Sequence, residues 1–402
     1  MKQWSKSLVA SVVLLGTLAG CSSNDDEIKI APLPVIQPSV EVEVNWEHSV
    51  GDGTQDYFSK LSPIVAYGKV FASDRAGIVA AFDTETGDQV WEVEVEDQGS
   101  IFSFSSGIDA QLSGGISAGY EKIVIGAESG MLYVLAQETG ELVWKIQTDG
   151  EILSSPLLSD NKVIVSMGNG KIIAYDLADG KEVWSYQQDV PALTLRGISG
   201  LTESQGATFF GLPNGKIGGV LINDGRAIWE AVVTPQTGGN ELASIIDVDS
   251  TPIAFGESIY AVGYNGNLAA IEIRSGNVLW KRDYSAFKSM TLNGFSLYLT
   301  TASGHVVSVD RRSGLEIWSQ LGLENRGLTA PVIFEGYVAV VDFEGVLHLM
   351  SSETGEFVGQ LEIDDDGHIA KPIVDGNRLA REVPYPSSNS IATDIYEDRC
   401  RC

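Results

Sequence analysis

Between residues 77 and 359 the apolar and polar positions recur in one pattern. The stretches GIVAAFDTETGDQVW (77–91), GMLYVLAQETGELVW (130–144), GKIIAYDLADGKEVW (170–184), GKIGGVLINDGRAIW (215–229), GNLAAIEIRSGNVLW (266–280) and GHVVSVDRRSGLEIW (304–318) align without a gap. Each opens on glycine, places a second glycine ten residues on and ends on tryptophan four further. A seventh copy, GVLHLMSSETGEFVG (345–359), keeps both glycines and has Gly359 in the tryptophan position. Within a copy, five or six alternating residues predict a strand, a D-x-x-T-G turn follows, and a second strand ends on the tryptophan. Another strand pair lies upstream, as in SSPLLSDNKVIVSMGNG (154–170) with its Asp160-Asn161 turn. Four strands per repeat and no helical period predict an all-β chain.

Tryptophan spacings of 38 to 53 residues suit four-stranded propeller blades. Trp46 precedes Trp91 by 45 residues, one repeat length. Counting it as the last strand of a closing blade predicts an eight-bladed β-propeller of four-stranded antiparallel blades. Its N- and C-terminal segments would share the closing blade, so that ring closure hides the sheet edges. A large side chain at a fixed place in every blade is read as packing between blades.

The ends follow other rules. Residues 1–20 carry Lys2 and Lys6 ahead of a short apolar run from Leu8 to Leu18, which has the form of a secretory signal peptide. The run ends in Leu18-Ala19-Gly20-Cys21, which resembles the lipobox of bacterial lipoproteins and makes Cys21 the expected lipidation site. Ser22 resembles the sorting signal for the outer membrane. Residues 21–45, dotted with Pro32, Pro34 and Pro38, are read as a periplasmic tether able to span roughly 80 Å when extended. The propeller is expected over 46–383. Residues 384–402 lose the pattern, contain Pro384 and Pro386, and are expected to be a largely disordered tail that leaves the closing blade short of a strand. A changed reading frame near residue 380 and a lineage-specific tail both account for that loss.

Of 26 basic residues two lie in the signal, so the mature chain has 24 against 54 acidic ones, a net charge of −30. Such a surface repels nucleic acid and anionic headgroups. Beyond Cys21 only Cys400 and Cys402 remain, so no disulfide framework is expected. GISAG (115–119) fits G-x-S-x-G around Ser117, but a strand follows it where a nucleophile turn needs a helix. His48, His305, His348 and His368 are scattered without zinc spacing, and DDDG (364–367) lacks the alternation of a calcium loop. No catalytic residue, metal or cofactor is assigned.

The repeats resemble the quinoprotein-type propeller repeat. Taken with the lipobox, ASDRAG (72–77), LTLRG (193–197), DVDSTP (247–252) and YNGNL (264–268), the chain up to about Leu379 resembles the BamB family of the bacterial outer-membrane β-barrel assembly machinery. The resemblance implies a non-enzymatic, lipid-anchored scaffold facing the periplasm. Its implied partners are the POTRA domains of BamA and other subunits of the assembly complex, with help in delivering or folding outer-membrane proteins; a separate reading, with no residue assigned, pairs unfolded clients to a blade edge. It implies contact residues Leu193, Leu195 and Arg196 on one loop and Asp247 and Asp249 on another. Both loops leave a tryptophan strand for the next blade and so emerge on the same face. An alternative from the residues alone turns Leu193 and Leu195 into the core and pairs Arg196 with Asp247 or Asp249. The rival from another class is a dehydrogenase using pyrroloquinoline quinone (PQQ). It would need a funnel calcium site and often adjacent cysteines, and the propeller segment offers neither.

Overall fold

Each repeat folds as the pattern predicts, and the sheets differ mainly in their connections. The structure is a computed structural model that describes residues 28–40, 42–53, 60–95, 109–188, 190, 198–235, 246–264, 266–363, 371–375, 378–380 and 396–398. Among these, seven four-stranded antiparallel sheets span 64–94, 112–147, 157–187, 202–232, 253–283, 291–320 and 332–362. Strands follow chain order from the innermost to the outermost in every blade. The innermost strands neighbour one another around a central channel, as Leu112–Gly119 neighbours both Ile64–Ala66 and Leu157–Ser159.

The two middle strands of a blade are buried on both faces, as in Lys69–Ser73 and Ile78–Asp83. The apolar core is therefore divided into slabs between neighbouring blades. One slab joins Phe71, Val79, Ala81 and Trp91 to Ile123, Ile125, Tyr133 and Leu135 of the next blade.

The repeated tryptophan and glycine form a single joint. Trp91 lies opposite Ala81 in the ladder, just before a bulge. Its indole N–H donates across the gap to the Gln137 carbonyl at 3.0 Å. The ring covers Gly140, whose φ of 72° closes the turn and where an added Cβ would stand 2.7 Å from the indole. Trp144, Trp184, Trp229, Trp280 and Trp318 make the same bond to the next blade at 2.7–3.1 Å. Burying an indole without orphaning its donor explains why tryptophan occupies this place.

The count of eight blades is corrected to seven complete ones among the described residues. In the position between the seventh blade and the first lie two two-stranded ladders. Ile373–Asp375 pairs with Arg378–Ala380, and Val42–Val44 pairs with Tyr396–Asp398. Ile373–Asp375 neighbours the innermost strands of the seventh and first blades. Three-residue strands provide too short a ladder for a full blade, whose middle strands run five or six residues. Of the tail expected to be disordered, Tyr396–Asp398 forms the strand just named; its other residues lie outside those described.

Trp46 nevertheless holds its repeat position. Its indole N–H donates to the Thr84 carbonyl of the first blade at 3.4 Å and its ring covers Gly87. At the seventh blade the missing tryptophan has a substitute. The amides of Ser39 and Val40 both donate to the Val358 carbonyl, and Val40 packs with Leu349 and Leu379.

Candidate functional site: the channel mouth and its face

Antiparallel order fixes the faces of the ring. The connections that enter each innermost strand, and the turns between second and third strands, share one face. The predicted loops 189–200 and 247–249 lie in two consecutive connections of this kind.

Leu193, Leu195 and Arg196 lie outside the described residues, as does Cys21. The end of their loop is described and is joined to the second loop. Ser199 donates its hydroxyl to the Ser250 carbonyl at 3.0 Å, and Ser250 donates to Val262 at 2.8 Å. The structure thus brings the ends of the two loops together. Asp247 is 1% exposed, its carbonyl accepting the Tyr264 amide at 2.9 Å. Asp249 is half-buried and lines the channel. Burial pushes its carboxyl above the usual range, and the Lys60 ammonium opposes that rise.

Lys60 was not among the residues expected from sequence. It enters from the segment before the first blade and donates to the carbonyl of Ile198 at 2.6 Å and of Asp249 at 3.4 Å. One lysine therefore bridges from the first blade to the connections that begin the fourth and fifth. Burial pulls its ammonium below the ordinary lysine range, against the pull of Asp249. The alignment of Lys60-Leu61-Ser62-Pro63 with Asp249-Ser250-Thr251-Pro252 was the available signal.

The inner ring is also fastened by hydroxyls. Ser117 donates to Pro156, Thr202 to Pro252 and Thr291 to Pro331, each 2.5 Å away on the following blade. Ser117 thus lies within the strand Leu112–Gly119 and binds a carbonyl, as a structural hydroxyl does. Among the described residues no group of three His, Cys, Asp or Glu could hold a metal ion.

A second buried cluster lies on the same face at the seventh blade. Arg326, 2% exposed, donates Nε to Asp342 at 2.7 Å, one terminal nitrogen to Glu344, and the other to the Ala31 carbonyl at 3.0 Å. His348 Nε2 meets the same Asp342 carboxylate at 2.9 Å. Burial would raise the Asp342 carboxyl. The hydrogen bonds from His348, the Val346 amide and Arg326 outweigh it and hold the group below the usual carboxylate range. Ala31 N to Glu324 O, and Asn325 Nδ2 to Lys29 O, complete the attachment of the N-terminal segment. Asp342 also accepts the Glu344 and Val346 amides, as Asp74 of the ASDRAG stretch accepts those of Gly77 and Ile78. This part of the resemblance is turn-capping.

The family model described as outer membrane protein assembly factor BamB matches residues 43–110, 75–320 and 302–385. The chain belongs to the BamB family. The family's protein from Shewanella oneidensis is 42% identical over 380 residues, 94% of this chain and 96% of that one. The Escherichia coli protein is 34% identical over the same coverage. The crystal structure of BamB from Moraxella catarrhalis, 24% identical, superposes with a TM-score of 0.75 over 88% of this chain and all of the other. A quinohemoprotein alcohol dehydrogenase from Comamonas testosteroni superposes with a TM-score of 0.68 at 15% identity, over 88% of this chain and 76% of the other, which is a likeness of fold. The BamB resemblance expected from the motifs is therefore borne out over nearly the whole chain.

Proposed function

We propose that this chain is a non-enzymatic scaffold subunit of the outer-membrane β-barrel assembly complex. It is anchored by lipid on Cys21 and faces the periplasm. It docks on the POTRA domains of BamA through loops 189–200 and 247–249 and assists insertion of outer-membrane proteins. Other subunits of the complex, and clients paired to exposed blade edges, are further partners in this reading. Segments from both chain ends close the ring between its seventh and first blades.

The observation that carries the docking face is the Ser199–Ser250 bond, which fixes the ends of the two loops side by side. Lys60 braces the same place from across the channel. Loops whose ends are held side by side lose less conformational freedom on binding than loops with unattached ends, which favours their use as an interface.

The test is binding of the full-length chain in detergent to purified BamA POTRA domains. Arg196→Glu and Asp249→Lys are compared with wild type after circular dichroism confirms the fold. Loss of binding in either variant supports the docking face. Wild-type affinity in both removes these residues as contacts.

A further inference from the structure

The central channel carries a charge pattern that neither the packing nor the docking reading uses. Its lining encloses about 740 Å³. Among the described residues, three lysines, Lys60, Lys288 and Lys371, line it with one acid, Asp249. All three lysines stand just ahead of innermost strands, on connections that share one mouth. This cationic patch is set in a chain of formal net charge −28. Lys60 is engaged by two carbonyls. Lys288 and Lys371 have no acidic partner among the described residues; Lys288 only approaches the Phe287 ring, at 5.7 Å. The walls between them are apolar, with Ile64, Ile116, Leu201, Ile253 and Val332.

We propose that the channel mouth is a binding site for a small organic anion, a carboxylate on an apolar body, held by Lys288 and Lys371. The carboxylate supplies the counter-charge that the lining lacks, and the body covers the apolar walls. Desolvation pushes Lys288 down to about 8 and lowers Lys371, as expected of ammonium groups recessed without an anion. Low-dielectric walls focus the field of the lysines into the channel, which strengthens their pull on an anion. Lys60 is engaged by the Ile198 and Asp249 carbonyls, which leaves Lys288 and Lys371 as the lining cations without an acidic partner among the described residues. The site stands independently of POTRA docking.

The probe is 4-(trifluoromethyl)benzoate, followed by fluorine NMR on the full-length chain. Its neutral counterpart, 4-(trifluoromethyl)benzyl alcohol, is run in the same detergent so that micelle partitioning is matched. The paired substitution Lys288→Met with Lys371→Met keeps side-chain length and removes both charges. Saturable binding of benzoate, weakened about tenfold or more in the double variant, is expected for loss of two paired cations. The alcohol is expected to bind at least as weakly as benzoate does to the variant. Three results overturn the proposal, each with a single cooperative melting transition at or above the wild-type temperature. They are no saturable binding up to about 10 mM, equal affinity of the alcohol, and unchanged affinity in the double variant.

Discussion

Trp46 covers Gly87 as Trp91 covers Gly140, although Trp46 belongs to no strand. The joint between blades thus outlasts the ladder that normally carries it. Trp46→Ala is expected to destabilise the chain by about 3 kcal/mol, the low end for deleting a large aromatic because the indole is only half-buried. Trp184→Ala, from a ring 7% exposed, is expected to cost more, up to about 5 kcal/mol. Chemical denaturation of the two variants checks the order.

Gly359 departs from the repeat for a physical reason. A Cβ there would stand 3.1 Å from the Val40 carbonyl. Restoring tryptophan at this position therefore competes with the N-terminal segment for one space. Gly359→Trp is expected to destabilise by about 1–3 kcal/mol, as overpacking does. It should also expose residues 39–40 to protease. A gain in melting temperature would refute the competition.

Arg326 joins two acids and a carbonyl from the N-terminal segment. Arg326→Met is expected to cost about 3 kcal/mol, the low end for breaking a buried ion pair, because Asp342 stays buried with His348 and two backbone amides still beside it. Limited proteolysis should then cleave near Lys29–Ala31 faster than in wild type. The double variant with Asp342→Asn should recover part of the loss.

Asp342 also sets a pH dependence. Its folded-state pKa lies below its unfolded value. The unfolded chain therefore takes up protons first as pH falls. Its contribution is full above the unfolded value of about 4 and is lost as pH drops through the folded one. Asp342→Asn should flatten the stability profile below about pH 4; an unchanged slope there would show that the carboxylate is not held.

Lys288 has the opposite sense. Its folded pKa of about 8 lies below the unfolded value, so the unfolded state holds the proton more tightly. The cost of the buried ammonium is present below pH 8 and is relieved as pH rises toward about 10.4. Lys288→Met should stabilise at pH 7 by roughly 1 kcal/mol, a figure reduced because the residue is part-exposed. The gain should vanish by about pH 10.

The repeat was legible because a fifteen-residue stretch carries both strand period and turn chemistry. Trp46 was legible by spacing alone. The shortfall at the closing position was legible in the loss of pattern after Leu379, but the pairing of Val42–Val44 with Tyr396–Asp398 was not, because the two stretches lie at opposite ends of the chain. The loop of Asp249 could be placed on a face of the ring, but not its contact with Lys60, which is 189 residues away in the chain. Arg326 reads as a surface residue in LENRGL, since its partners come from two other stretches, Asp342 and Glu344 from one turn and Ala31 from the N-terminal segment. Pairings of this kind leave no local period.

The attachment at Arg326 shortens the reach that the sequence allowed. From a lipid on Cys21, as proposed, only eight residues lead to Lys29, at most about 30 Å of chain. The leash therefore starts from the face of the ring that carries Asp249 and the channel mouth. With the anchor proposed on Cys21, that face would be moored toward the bilayer and the opposite one would look into the periplasm. A partner reaching loops 247–249 has to enter the narrow layer between ring and membrane, so the mooring selects which side of the disc is offered before any contact is made.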